Sequence, residues 1–430
     1  MKTNEKDTQQ GVVPALRFPE FLKCENWDVT RLKQISTRIT IKVGDSQLLP
    51  VSISAGIGFV AQTEKFGRDI SGEQYHNYIE LNKGEFAYNK GNSKKYPQGC
   101  VYRLEEFDKV AAPNAFLCFR FNDNVIPDFF KGYFDSNYHG KQLQNIITSG
   151  ARSNGLLNIG ADDFFNIILP IPKDKAEQQK IAECLSSIDA LIKAAENKID
   201  KLKNHKKGLI QQLFPAEGKT VPALRFPEFQ NAGEWNPYKL NDFGPFFRGL
   251  TYSTADVNDN DGIGVLRATN IQNNRLILDQ DLVFVNKTCS FEQRLQKGDV
   301  VICMSNGSKA LVGKNAELDQ DIPYDLTVGA FCSIFRPKNV FAKYLLQTDS
   351  YTKFVALAIG GGNINNLKNF DLENFVQFAP TKPEEQQKIA DCLSSVDDLI
   401  AVQTNHLEAL RNHKKGLMQQ LFPNVNNREE

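Results

Sequence analysis

The chain has 430 residues, enough for two to four domains, and equal numbers of acidic and basic side chains. With no net charge there is no global attraction to nucleic acid, so any basic surface must be local. No apolar run approaches membrane-spanning length, MKTNEKDTQQ at the N-terminus is not a signal peptide, and the eight cysteines lack metal or disulfide-framework spacing; reduced thiols in a cytoplasmic protein are expected.

In chain order, the first distinct segment is VPALRFPEF, Val13 to Phe21, followed by Trp27. Both recur 208 residues later, as Val221 to Phe229 and Trp235. Two prolines hold the segment extended and Leu, Phe and Phe supply apolar anchors, so it reads as a strap or, more plainly, a surface linker. Next comes a variable region, roughly Asp28 to Leu169, matched after the second strap by Asn236 to Ala379. These regions share a skeleton. LNKGEFAYNKGNS at Leu81 parallels LQKGDVVICMSNGS at Leu295, PVSISAGI at Pro50 parallels GVLRATNI at Gly264, and AFLCFRF at Ala115 parallels AFCSIFRP at Ala330. Each is a short strand-like run bounded by Gly, Asn or Ser. Phe129 and Phe341 open predicted helices. The variable regions therefore read as two α+β domains of one fold with diverged loops.

Each variable region leads into a long amphipathic helix. EQQKIAECLSSIDALIKAAENKIDKLKNHKKGLIQQLFP, Glu177 to Pro215, recurs without a gap at Glu385 to Pro423, and about two thirds of the positions are identical. Ile181, Leu185, Ile188, Ile192, Ala195, Ile199, Leu202, Leu209 and Leu213 step alternately by four and three, with Lys206 filling one step. Ile389, Leu393, Val396, Ile400, Leu407, Leu410, Leu417 and Leu421 keep the same phase, interrupted by Gln403 and Lys414. Seams this narrow predict that the two helices pair with each other, each a rod of roughly 60 Å at ~1.5 Å per residue. The alternative is two core helices of separate domains. Asp174 with Glu177, and Thr381 with Glu384, are expected to form capping boxes, and Leu-Phe-Pro ends both helices. Gly208 and Gly416, each about 1 kcal/mol worse than alanine, are candidates for a bend. The expected layout is a strap (1–27), a recognition domain (28–172), a central helix (173–215), a second strap (216–235), a second recognition domain (236–380), a C-terminal helix (381–423) and a tail (424–430).

One scaffold with two sets of loops suits a device that reads two different things. Amide, guanidinium and small side chains suit nucleic acid, because they read base edges and admit backbone to phosphates. The candidate DNA contacts in the first domain are Lys65, Arg68, Tyr75, Asn89, Lys90, Asn92, Lys94, Lys95, Ser149 and Arg152. In the second they are Arg267, Thr269, Asn270, Asn306, Ser308, Lys309, Asn363, Asn365 and Asn366. The alternative for each is an ordinary solvated loop residue. Lys90 to Lys95, between Tyr88 and Tyr96, is the best basic-aromatic cluster.

Catalytic signals are missing. SAGIGF at Ser54 lacks the spacing of a cofactor-binding glycine loop and reads as a strand-end turn. Asn236-Pro237-Tyr238 lacks the second proline of the amino-methyltransferase motif. Pro127-Asp128 with Lys131 lacks the second carboxylate of a metal nuclease, and no histidine has a recognisable nucleophile partner. The chain is read as a protein that recognises and assembles without catalysing. No metal or cofactor is assigned to it. Residues alone leave open a DNA-recognition subunit and a protein-binding adaptor.

The repeated VPALRFPEF, the EQQKIA helix starts and the HKKGLxQQLF helix ends, with two variable regions between, resemble the specificity subunit of type I restriction–modification enzymes over nearly the whole chain. The resemblance implies two target-recognition domains, each reading half of a bipartite asymmetric DNA sequence. It implies an antiparallel coiled coil setting the gap, through Ile181, Leu185, Ile188, Ile192, Ile199, Leu202, Ile389, Leu393, Val396, Ile400, Leu407 and Leu410. It further implies two docked methyltransferase subunits using S-adenosylmethionine, and up to two ATP- and Mg-dependent restriction subunits, with no catalytic residue on this chain.

Overall fold

A computed structural model describes residues 11–91, 96–147, 157–258, 261–360, 365–423 and 425. The chain divides into two compact units, Met1–Glu196 with Asn405–Glu430, and Asn197–Thr404.

In the first unit, strand Asp28–Arg31 pairs antiparallel with Ile168–Ile171, so the domain closes on itself next to the strap and the helix start. Strands Ser36–Arg38, Leu117–Phe121, Phe86–Asn89 and Cys100–Arg103 form one antiparallel sheet in that order. A second sheet runs Gly58–Ala61, Leu49–Ser54, Lys109–Ala112, Ile79–Asn82, with a parallel pair in its middle. The core is rich in phenylalanine: Phe121 stacks on Phe130 at 4.6 Å and Tyr88 on Phe164 at 4.4 Å. Into this core project Ile181 and Leu185 from the start of the central helix, and Leu421 and Phe422 from the end of the C-terminal one.

The second unit repeats the plan. Strand Asn236–Lys239 closes against Val376–Ala379, and Phe246–Arg248, Cys332–Phe335, Val300–Cys303 and Asn315–Glu317 follow one another in an antiparallel run. Ile263–Leu266 lies parallel to Leu326–Val328, as Leu49–Ser54 does to Lys109–Ala112. The segments aligned from sequence thus occupy equivalent rungs of equivalent ladders. The turns match too: Gly84 and Gly298 have φ of 89° and 92°, and each precedes an acid that accepts from the backbone N–H three residues back. Ile210, Leu213, Ile389 and Leu393 enter this unit's core.

The central helix spans Lys175–Leu213 and the C-terminal helix Pro383–Leu421, 39 residues each, ending at the predicted Leu-Phe-Pro stops and continuing unbroken through Gly208 and Gly416. Within the first unit their segments run antiparallel: Glu196 pairs with Arg411 at 2.7 Å and Asp189 with Lys414 at 2.7 Å. Within the second unit Lys206 pairs with Asp397, also at 2.7 Å. The polar interruptions Lys206 and Lys414 are therefore one repeated seam position, and each meets the same repeated aspartate.

Half of the first predicted capping box forms, Asp174 Oδ1 accepting from Ala176 N–H at 2.8 Å, while the Glu177 side chain turns away to the strap. The Glu177 carboxylate accepts from Arg17 Nε and Nη2, both at 2.7 Å, and from Trp27 Nε1 at 3.1 Å. At Glu385 the same bonds come from Arg225 at 2.7 and 2.8 Å and Trp235 at 3.2 Å. A carboxylate 1% exposed needs partners of opposite charge more than a helix needs one more cap. No hydrogen bond joins Thr381 to Glu384 among the described residues. The VPALRFPEF segments are straps: Leu16 N–H donates to Gln420 O at 3.0 Å and Leu224 N–H to Gln212 O at 2.9 Å. All eight cysteines are free.

Candidate nucleic-acid interface

In the second unit the buried strand Val300–Cys303 delivers a polar end to the surface. Ser305 bridges Asn366, Leu367 N–H donates to Met304 O at 2.8 Å, and Asn365 Nδ2 donates to the carbonyls of Asn306 and Gly307 at 3.3 and 3.2 Å. Asn306 Oδ1 accepts from Ser308 N–H at 3.0 Å, which fixes the loop. Asn306, Ser308, Lys309, Asn365 and Asn366 are thus brought together. Lys309 opens a short 3-10 turn and is exposed.

Arg267, Thr269 and Asn270 share another turn, after strand Ile263–Leu266. Asn270 is 1% exposed: its Oδ1 accepts from Arg267 N–H, and its Nδ2 donates to Ile277 O and Gln280 O. That side chain is fully engaged inside the protein and fastens the turn. Arg267 and Thr269 are exposed; one guanidinium nitrogen of Arg267 donates to Asp281 O at 3.0 Å, leaving the rest of the fork at the surface. The two polar strand ends border one turn. Gly329 N–H donates to Leu266 O, while Phe331 O accepts from Met304 and Ser305 N–H. Phe331 itself is 69% exposed there. Sequence reading missed it, because its counterpart Phe116 is a buried core residue and nothing local separates the two.

In the first unit the equivalent strand Phe86–Asn89 ends in a loop held the same way. Leu157 N–H donates to Lys90 O at 2.9 Å, and Asn89 Oδ1 accepts from Gly91 N–H at 2.8 Å. The Lys90 ammonium donates to Ile159 O at 3.1 Å. Lys65 is turned inward to Ile53 O at 2.7 Å and Ser52 Oγ at 3.2 Å, and burial lowers its pKa. Tyr75 Oη receives Leu48 N–H at 2.6 Å and lies 2.8 Å from Ser46 O and Leu48 O, so it staples a loop. Arg68 is exposed. Asn92, Lys94, Lys95, Ser149, Arg152 and Asn363 lie outside the described residues.

The helix-pairing candidates sit as follows. Ile181, Leu185, Ile188, Ile199, Ile389, Leu393, Val396 and Leu407 are buried, and Ile192, Leu202, Ile400 and Leu410 half-buried. Three sequence motifs have structural employment. SAGIGF is the turn between paired strands, with Gly56 and Gly58 at positive φ. Asn236-Pro237-Tyr238 lies within a strand. Asp128 pairs with Arg103, and Lys131 lies 3.3 Å from Asp189. Among the described residues no cluster of three or more His, Cys, Asp or Glu could hold a metal. No helix there is long and apolar enough to cross a membrane.

Two units with one ladder plan and different polar loops now meet a family match that covers both. The sequence pattern of the type I restriction modification DNA specificity domain matches residues 57–204 and 232–412. The chain belongs to this family. The EcoKI specificity subunit of Escherichia coli is 36% identical over 164 residues, 36% of this chain and 33% of that subunit. The StySPI specificity subunit of Salmonella potsdam is 32% identical over 176 residues, 38% of this chain and 37% of that subunit. The chain thus matches about a third of the length of these two curated relatives. The crystal structure of a type I restriction-modification S subunit from M. genitalium aligns with 96% of this chain and 100% of its own, with a TM-score of 0.54 at 15% identity, a likeness of fold.

Proposed function

We propose that this chain is the DNA-recognition subunit of a type I restriction–modification complex. Each unit reads one half of a bipartite asymmetric target, residues 28–172 in the first and 236–380 in the second. The paired helices set the spacing between halves. Two methyltransferase subunits dock on the chain and supply S-adenosylmethionine chemistry; up to two restriction subunits add ATP- and Mg-dependent cleavage. The chain itself positions DNA and does not catalyse.

The observation that carries this reading is one strand ladder repeated with different surface loops in a DNA specificity family. A duplicated scaffold keeps the geometry of reading constant while the loops change what is read. The cluster Asn306, Ser308, Lys309, Asn365 and Asn366, with Arg267 and Phe331 nearby, supplies amide, hydroxyl, cationic and apolar groups for base edges, phosphates and a thymine methyl. Zero net charge supports a chain that grips DNA strongly only within its complex.

The test is to map methylated adenines in DNA from cells carrying the chain with its methyltransferase partner. A single bipartite, asymmetric motif is expected, and replacing residues 28–172 with the matching region of a relative should change only one half of it. Methylation without a bipartite motif, or none at all beside tight binding to other proteins, would favour an adaptor.

A further inference from the structure

A lone exposed apolar side chain is ordinary, so Phe331 is informative only through its setting. It stands 69% exposed on the tight turn from Gly329 to Cys332, closed by Cys332 N–H donating to Gly329 O at 2.8 Å. Three neighbouring segments hold this turn. Leu250 N–H donates to Val328 O at 2.7 Å, Gly329 N–H to Leu266 O at 2.8 Å, and Met304 and Ser305 N–H to Phe331 O at 2.8 and 3.2 Å. Gly249 passes so close that a Cβ there would come within 2.1 Å of Gly329 O. A stiff aromatic side chain on a backbone this fixed loses little freedom when a ligand covers it.

The segments that hold the turn are polar where they emerge. Leu266 leads into exposed Arg267 and Thr269, Ser305 leads into the loop of Asn306, Ser308 and Lys309, and exposed Arg248 pairs with Ser333 on the adjoining strand. The shared scaffold does not demand an exposed ring here, since the aligned Phe116 of the first unit is 7% exposed. The first unit instead exposes Ile57, at 76%, on the turn between its strands Leu49–Ser54 and Gly58–Ala61, where the aligned Ile271 of the second unit is 2% exposed. The two units thus expose large apolar tips at different turns of one plan. A packing residue keeps its place when a scaffold is duplicated; a residue that decides what is read does not have to. Base edges offer one apolar group, the 5-methyl of thymine, and it lies in the major groove. Asparagine and arginine, which border this turn, are the side chains that pair with adenine and guanine in the same groove.

We propose that Phe331 is a specificity-determining residue of the second unit, its ring seated on the 5-methyl group of one thymine in the half-site that residues 236–380 read. This rests on the DNA-reading role of that unit.

The test uses the full chain with its methyltransferase subunit and duplexes carrying the mapped target. Exchanging residues 236–380 for those of a relative identifies the half-site concerned. Each thymine of that half-site is then replaced in turn by deoxyuridine, which removes the methyl and keeps the base pair. Titration of the native complex should find one position at which uracil weakens binding roughly threefold to tenfold. Phe331→Ala should bind the thymine duplex about as weakly and lose nothing further with uracil at that position. Phe331→Leu, still apolar, should keep part of the preference. Because the ring is mostly exposed, Phe331→Ala should change Tm by less than about 2 °C. A drop of many degrees would make the ring a packing residue and overturn the proposal, as would a Phe331→Ala complex that distinguishes thymine from uracil as well as the native one. A native complex indifferent to uracil at every position, yet weakened by Phe331→Ala, would mark a ring inserted between base pairs and overturn it too. A native complex that does not prefer its mapped target to scrambled DNA would overturn the DNA-reading role itself, and the contact with it.

Discussion

Glu177 and Glu385 each sit 1% exposed beneath a strap, with a bidentate arginine and an indole N–H as partners. The arginine–carboxylate fork restores the hydration these charges lose, and the hydrogen bond that Arg17 donates to Glu177 is the main reason the Arg17 pKa is raised. Truncating one partner strands the other. Glu177→Ala should therefore destabilise the first unit by about 3–5 kcal/mol, and Glu385→Ala the second by a similar amount. Urea unfolding checks this; a loss within experimental error would mean the straps are held by their phenylalanines alone. His139 makes a different case. It is 1% exposed, neither ring nitrogen has a hydrogen-bond partner among the described residues, and it lies against the rings of Tyr88 and Phe134. Burial pushes its pKa from 6.5 down to about 3. The folded state therefore stays neutral while the unfolded chain takes up a proton below pH 6.5. Stability attributable to this group is complete above pH 6.5 and falls by about 1.4 kcal/mol per pH unit as pH drops towards 3. His139→Leu should flatten the pH dependence of stability between pH 6.5 and 4, read by urea midpoints across that range. Parallel profiles for the two proteins would exclude His139 as the source.

At the scale of elements, the helices carry one ionic seam position each. Lys206 reaches Asp397 and the Gln347 amide at 2.7 Å, and lies 5.2 Å from the Tyr344 ring. Desolvation lowers the Lys206 pKa despite the aspartate. Such a pair is worth more as a specifier of antiparallel register than as a stabiliser. Lys206→Met alone leaves Asp397 with Tyr344 Oη and should cost about 1–3 kcal/mol. The double variant Lys206→Met with Asp397→Leu should recover most of that loss, and a double-mutant cycle measures the difference. Strictly additive losses would show that the two charges do not interact. Much of this element was legible, because a four-and-three spacing can only make one stripe on a helix and the lysine stood visibly inside it. The partners of Glu177 were not read, since Arg17 and Trp27 lie 160 and 150 residues away. Yet the signal existed: all three residues recur together at the same offset, and a carboxylate repeated with an arginine and a tryptophan invites pairing. Asn270 shows the limit. As a polar residue at a strand end it reads the same whether it faces DNA or ties a turn, and only its burial separates the two.

At the scale of the whole molecule, the proposed function makes the helices a spacer, which can be tested by lengthening them. One heptad added after Ala195 and one after Gln403 falls at matching positions of the two copies. Seven residues restore the phase of the seam, so the buried leucines and isoleucines still meet and pairing should survive. Each helix grows by ~10.5 Å at 1.5 Å per residue. On B-form DNA at ~3.4 Å per base pair this is roughly 3 base pairs more between half-sites. At ~10–10.5 base pairs per turn, the second half-site also rotates about 100° around the duplex. The seam's own supercoil is too slight to follow that rotation, so total methylation should fall sharply. Whatever methylation remains should lie on the same two half-sites separated by a longer gap, which sequencing of methylated sites would reveal. Insertion of five residues in place of seven turns the seam about 140° off its stripe at ~100° per residue and should abolish activity at every spacing. A heptad variant that modifies only the original spacing at full efficiency would mean that contacts outside the helices fix the distance. The gap would then have to be set by the recognition domains or by the docked methyltransferase subunits.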